Sequence, residues 1–326
     1  MKQVRLGEEG MSSSALGFGC AALLGRAGRG ESLRALEAAY DAGITFYDTA
    51  RSYGYGESEA LLGEFLRGRR DKVVISTKFG ILPAKTNLLK ETIKPLARKV
   101  LQALPSARKA VHRQISAQFS ANNFSVAVLR ESLETSLTKL RTDHVDLLFM
   151  HSAPADVLEQ TDLLEELARL VAQGKVRRAG ISADPEIIEI ALQRKIPCLR
   201  TFQFPCNVFD LGIARSFATR GGNTVAVANH PFGGVQRVAE SKARLRAIAT
   251  DEAAPRALRE KLRVLDDAVL AEIVLNAIID GTGVQVVVPS MIQPAHLQAN
   301  VVAMEQNRFT SDELAWLRNA LSAPAA

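Results

Sequence analysis

Four residues of this 326-residue chain carry side chains suited to moving a proton at a polarised oxygen: Asp48, Tyr53, Lys78 and His151. Asp48 and Tyr53 both lie in the turn-like run DTARSYGYGESE, Lys78 closes VVISTK, and His151 closes VDLLFMH. A carbonyl that receives a hydride needs a proton on its oxygen. A phenol is a poor donor at its ordinary pKa of about 10. A neighbouring ammonium lowers that value by stabilising the phenolate, and a carboxylate can hold the ammonium in place. An imidazole can hydrogen-bond the carbonyl and orient it. General acid catalysis of this kind is worth roughly 10²–10⁴ in rate. One at a time, these residues read as a half-buried tyrosine, a structural ion pair and a satisfied histidine. Together, each at the end of an apolar run, they read as a proton-transfer site.

The elements that must position them alternate. QVRLG, SSSALGFG, ITFYD, VVISTK, VDLLFMH, RRAGIS, LRTFQF, TVAVAN and VQVVVP are short apolar runs that predict strands. Helices are predicted over 31–42, from 57, and over 126–140, 157–173, 185–193, 257–280, 295–300 and 311–321, from apolar residues at three- and four-residue spacing. Short apolar strands separated by helices predict a parallel sheet covered by helices. Eight strand–helix units from SSSALGFG onward predict an α/β fold of the closed (β/α)8 TIM-barrel type, with QVRLG as half of an N-terminal β-hairpin closing its bottom. The segments 81–124, after the third barrel strand, and 231–256, after the seventh, exceed ordinary loop length and should hang over the mouth. The chain, 1–326, reads as a single domain, with no repeat and no linker.

Composition removes other classes. No apolar run reaches the length of a membrane span, and MKQVRLGEEGMSSS has no apolar core of a secretory signal. Three unevenly spaced cysteines, Cys20, Cys198 and Cys206, make no disulfide framework and point to a reducing, cytoplasmic setting. The net charge is +6 and the pI about 9.3, but 81–124 carries eight Lys or Arg against the single acid Glu91, so the excess belongs to one segment. Few aromatics interleave it, which argues against nucleic acid. Its apolar stripe, with Pro95 dividing it, suggests a lid packed on the barrel whose cations attract an anionic substrate or a pyrophosphate. No H-x-H or H-E-x-x-H occurs, so no metal site is expected. Gly17-Phe-Gly19-Cys-Ala-Ala22 with Glu37 imitates a dinucleotide fingerprint. No helical pattern starts within those glycines, as that motif requires, so they read as the loop after the first barrel strand.

GITFYDTARSYGYGESEALLG, with TKFG and DLLFMH behind it, resembles the aldo-keto reductase family, and the resemblance runs from LGFGCAALLG to the closing helix. It implies a barrel that binds a nicotinamide dinucleotide without a separate nucleotide domain. The implied activity is NAD(P)(H)-dependent hydride transfer between aldehydes or ketones and alcohols. Tyr53 would be general acid/base, Lys78 and Asp48 its tuning pair, and His151 the carbonyl orienter. Ser182 and Gln203 would hold the nicotinamide carboxamide. Ala183 stands where the family has Asn, and Asn207 also fits the cofactor side. At the end of the seventh strand the family often has a stacking tyrosine; here Asn229 stands there, with His230 and Phe232 as substitutes. Ser290 and His296 occupy places where many members carry cations for the 2′-phosphate of NADP, Asn300 matches an adenine-facing position, and Gly19 lines the mouth. The family favours NADP(H), while the missing cations pull toward NAD(H), unless basic residues in 237–246 compensate. The partner implied is a small carbonyl or alcohol, and the default state a monomer. The other reading is a cofactor-binding regulatory subunit.

Overall fold

The computed structural model describes residues 1–8, 10–25, 27–83, 123–220, 223–306 and 308–322. The predicted basic lid falls almost wholly outside them.

Two strands, β1 (Gln3–Arg5) and β2 (Ser12–Ser14), pair antiparallel as a hairpin. Eight more form one parallel sheet in chain order: β3 (Gly17–Gly19), β4 (Phe46–Asp48), β5 (Val74–Phe79), β6 (Val145–His151), β7 (Val176–Ser182), β8 (Leu199–Pro205), β9 (Val225–Asn229) and β10 (Val286–Val288). The first and last close on each other. Leu16 bridges Val287, the Val287 N–H donates to the Ala15 carbonyl at 2.9 Å, and the Gly19 N–H to that of Pro289 at 3.1 Å. The fold is therefore the predicted (β/α)8 barrel. The helices among the described residues are α1 (Arg29–Asp41), α2 (Ser58–Phe65), α3 (Val126–Leu140), α4 (Thr161–Ala172), α5 (Pro185–Arg194), α6 (Gly212–Arg215), α7 (Val235–Thr250), α8 (Arg256–Leu262), α9 (Asp267–Ile279), α10 (Pro294–Glu305) and α11 (Ser311–Ser322).

Strand periodicity makes two cores. Inward residues Phe46, Val74, Leu147, Phe149, Val225, Val227, Val286 and Val288 fill the barrel, and Leu6 and Met11 of the hairpin plug its floor. Outward residues such as Tyr47, Ile75, Leu148 and Ile181 pack under the helices. In α4, Leu163, Glu166, Leu167 and Leu170 are buried, one face at helical spacing. Ser125 caps α3 by accepting from the Val128 N–H at 3.3 Å, and Asp266 caps α9 by accepting from that of Val269 at 2.8 Å.

Three elements differ from expectation. SSSALGFG is two strands, not one, because the chain crosses there from hairpin to barrel. Ser14 and Thr45 clamp the crossing, each backbone N–H donating to the other's hydroxyl at 2.8 and 2.9 Å. The helix expected over 257–280 is divided into α8 and α9, since Asp266 caps a new start. The long segment after β9 contains a helix, α7, anchored by buried Ser241, Leu245 and Ile248.

Candidate active site

At the C-terminal end of the barrel the inward positions turn polar. Asp48 ends β4 at 4% exposure, with Lys78 on β5 at 1%. Lys78 Nζ donates to Asp48 Oδ2 at 2.6 Å and to the Thr49 carbonyl at 2.8 Å. The other carboxylate oxygen, Oδ1, accepts from Ser76 Oγ at 2.6 Å and from Gln203 Nε2 at 3.0 Å. Gln203 Oε1 in turn accepts from Ser182 Oγ at 2.8 Å. The Lys78 ammonium lies 4.7 Å from the centre of the Tyr53 ring, and that ring meets His151 edge-on at 5.9 Å. The structure thus brings Asp48, Tyr53, Lys78 and His151 together.

Tyr53 stands on a turn rather than a strand, so the turn must be rigid. Gly54, Tyr55 and Gly56 all have positive φ (59°, 59° and 88°). A Cβ on Gly54 would also meet the Leu23 carbonyl at 2.9 Å, so glycine is required there. Beneath it, Arg51 pairs with buried Glu59 at 3.2 Å, and Glu59 accepts from Thr77 Oγ1 at 2.7 Å. Thr49 and Ser58 share a hydroxyl contact at 3.2 Å. Sequence reasoning missed Ser76 and this Arg51–Glu59–Thr77 support. Ser76 had a signal: it sits two residues before Lys78, on the same strand face.

Burial sets the electrostatics. It raises the Tyr53 pKa by more than the Lys78 ammonium lowers it, and Asp48 adds to the rise. Lys78 was expected to leave the phenol a stronger acid than free tyrosine; here it limits a rise. Burial presses the Lys78 pKa down, but Asp48 and Tyr53 outweigh it and the net shift is upward. His151 is held neutral, its pKa pushed to about 3 by burial and by Lys78.

The residues expected on the cofactor side are distributed around the same mouth. Ser182 and Gln203 are buried and bonded to each other. Asn229 ends β9 facing inward, and its Oδ1 is buried without a hydrogen-bond partner, as is His151 Nδ1. His230 is exposed in a left-handed conformation (φ 51°), and Phe232 packs half-buried against the outer core. Asn207 Oδ1 accepts from the Phe209 N–H at 3.0 Å, making a turn. A Cβ on Gly19 would meet the Pro289 carbonyl at 3.0 Å, so this glycine lets β3 and β10 close. Ser290 and His296 are exposed, whereas buried Asn300 donates to Met291 Sδ at 3.5 Å. Three of the four basic residues in 237–246 have acidic partners: Arg237 and Arg244 both pair with Glu240, at 2.7 and 2.9 Å, and Lys242 pairs with Asp267 at 2.7 Å.

A dinucleotide fits this mouth on two grounds. Asn229 Oδ1 and His151 Nδ1 lack hydrogen-bond partners, a costly state for buried polar atoms. The helices that follow the last two strands, α7 and α10, both begin without a side-chain cap, leaving backbone N–H groups open to phosphate oxygens. Among the described residues no group of three or more His, Cys, Asp or Glu could hold a metal ion, and no helix is long and apolar enough to cross a membrane.

Comparison with known proteins converges on one family. The chain is 31% identical over 198 residues to a probable aldo-keto reductase of Glycine max, covering 59% of this chain and 48% of that protein. It is 32% identical over 195 residues to a D-threo-aldose 1-dehydrogenase of a Pseudomonas species, covering 57% and 54%. The matched stretch thus spans about half the length of each of these relatives. Among solved structures, the holo form of an aldo-keto reductase from Bacillus halodurans superposes with a TM-score of 0.71 at 22% identity, over 99% of this chain and 97% of that one. A Klebsiella pneumoniae aldo/keto reductase in complex with NADP and acetate gives 0.65 at 22% identity, over 100% and 97%. The sequence profile of the aldo/keto reductase family matches residues 15–321. With nearly every barrel element inside that match, the chain belongs to the aldo/keto reductase family.

Proposed function

We propose that the protein interconverts aldehydes or ketones and alcohols with a nicotinamide dinucleotide, using Tyr53 as general acid/base. The observation that carries this reading is the convergence of Tyr53, Lys78, Asp48 and His151 at one barrel mouth. The bound nicotinamide supplies or accepts the hydride. Tyr53, kept protonated at neutral pH by burial, delivers the proton to the carbonyl oxygen in reduction. Lys78 stabilises the phenolate that results, and Asp48 keeps Lys78 beside it. Neutral His151 orients the carbonyl without adding charge. Ser182, Gln203 and Asn229 would hold the nicotinamide end. Gln203 Oε1 has one lone pair engaged by Ser182, and a carbonyl oxygen carries two. Gly19, His230, Phe232, Ser290, His296 and Asn300 would line the remainder.

The relative named as an aldose dehydrogenase favours including sugars, in the oxidative direction, among the substrates to be tested. The NADP complex of the Klebsiella protein favours NADP(H), against the uncharged Ser290. The deciding experiment follows nicotinamide absorbance with NADPH and NADH separately, over a panel of aldehydes, ketones and aldoses, for wild type and Tyr53→Phe. Cofactor consumption by wild type, lost in the variant, is expected. Tight binding of either dinucleotide without turnover would transfer the assignment to a cofactor-binding regulatory role.

A further inference from the structure

The residues read as catalytic and those read as cofactor ligands form one hydrogen-bonded belt. It links β4 (Asp48), β5 (Ser76 and Lys78), β7 (Ser182) and β8 (Gln203), and the Asp48–Gln203 contact joins residues 155 positions apart. An ionised carboxylate only accepts hydrogen bonds. Its Oδ2 is engaged by Lys78, and without Ser76 and Gln203 its Oδ1 would be a buried charged atom with no donor. The carboxylate also fixes which way the Gln203 amide points, because only the NH₂ end can face it. That orientation turns Oε1 toward Ser182, whose hydroxyl must then donate. Gln203 is fully buried, so the amide has no water to turn to.

We infer that Gln203, with Ser76, is a positioning residue for proton transfer: it holds the Asp48 carboxylate in the orientation that anchors Lys78 beside Tyr53. The inference rests on the proposed role of Tyr53. It separates Gln203 from a purely cofactor-holding role, because Ser76, which is not among the residues assigned to the cofactor, donates to the same oxygen. Removing either donor leaves the Asp48 charge less compensated, which makes the phenolate harder to form. The titratable groups around this point are Asp48, Tyr53, Lys78, His151, Cys20 and His230, from β4, its following turn, β5, β6 and the segments after β3 and β9. None of them donates to Asp48 Oδ1 in place of Gln203 or Ser76.

The test compares wild type, Gln203→Met and Ser76→Ala by kcat against pH at saturating cofactor and substrate, and by the dissociation constant of NADPH from fluorescence quenching. Thr201→Val, one inward layer below Gln203, controls for disturbance of the barrel core. Both donor deletions are expected to lower kcat about tenfold and to move any alkaline limb upward, with NADPH affinity unchanged in Ser76→Ala and both quantities unchanged in Thr201→Val. Wild-type kcat in both donor deletions overturns the inference. So does weakened NADPH binding by Gln203→Met with Ser76→Ala at wild-type kcat. If Gln203→Met does not fold, Ser76→Ala decides. Absence of wild-type turnover strikes the proposed function alone. The belt is then read in the free protein from the ¹³C resonance of the Asp48 carboxyl carbon, assigned with Asp48→Asn. A resonance that stays in place when either donor is removed overturns the inference.

Discussion

At the N-terminal end of the barrel, Asp146 is buried at 1% exposure and fully engaged. Its Oδ2 accepts from the Ile75 N–H at 2.8 Å and pairs with Arg70 at 2.9 Å, and its Oδ1 pairs with Arg177 at 3.3 Å. Nearby, Arg178 donates to Asn223 Oδ1 at 3.0 Å beneath Gly7, where a Cβ would collide with the guanidinium. Leu6 and Met11 seal that floor. At the C-terminal end, Asp48 is just as buried and has its own donors, but the groups above it are left open. Tyr53, though its phenol is desolvated, keeps part of its residue surface exposed at the mouth, and His151 Nδ1 and Asn229 Oδ1 lack partners. One sheet therefore carries two kinds of buried charge. Asp146, tied to the Ile75 N–H, Arg70 and Arg177, serves the fold. Around Asp48, polar atoms left without partners at the mouth suit a ligand.

Tyr53→Phe should break the open end alone: turnover falls by about 10²–10⁴-fold, while the urea unfolding midpoint stays near that of wild type. Asp146→Ala should do the reverse. It removes the ion pairs of Arg70 and Arg177, leaves the Ile75 N–H without its acceptor and costs about 3 kcal/mol in urea unfolding, with kcat per folded molecule unchanged. Leu6→Ala opens a cavity in the floor for about 2–3 kcal/mol and also spares kcat; a loss of kcat in either floor variant would erase the division between the ends. A pH series sharpens the comparison. The folded-state pKa of His151, about 3, lies below its ordinary 6.5, so between those values the unfolded chain binds a proton that the folded one does not. Stability should fall as pH drops through that window, and His151→Gln should flatten the slope in acid unfolding. The smallest effect is expected at Thr201, whose buried Oγ1 has no partner: Thr201→Val should be neutral or stabilising by up to about 1 kcal/mol in thermal unfolding.

Much of the site was legible because it is periodic. Lys78 and His151 could be placed at strand ends from VVISTK and VDLLFMH alone, and strand alternation then puts both inside the barrel. Less legible was any contact that depends on which strands become neighbours across the interior. Gln203 reading as a cofactor residue and Asp48 as a catalytic one gave no hint that they touch. The sign of the Tyr53 shift was also hidden, since a nearby ammonium is visible in sequence order but the degree of burial is not. The division of SSSALGFG was masked because serine suits both the hairpin and the crossing beside Thr45.

By itself the sequence determined the local matters: the strand–helix alternation, the types of the four proton-handling residues, and the glycines that let the turn bearing Tyr53 curl. These depend on side-chain periodicity and on backbone freedom over a few residues. The tertiary structure decided what depends on long-range closure. It brought β8 across the barrel from β4 so that Gln203 supports Asp48, and it buried the phenol until desolvation outweighed its ammonium neighbour. It also paired Arg237, Lys242 and Arg244 of α7 with acids. Burial and cross-barrel distance are properties of the closed sheet, and no run of adjacent residues encodes them.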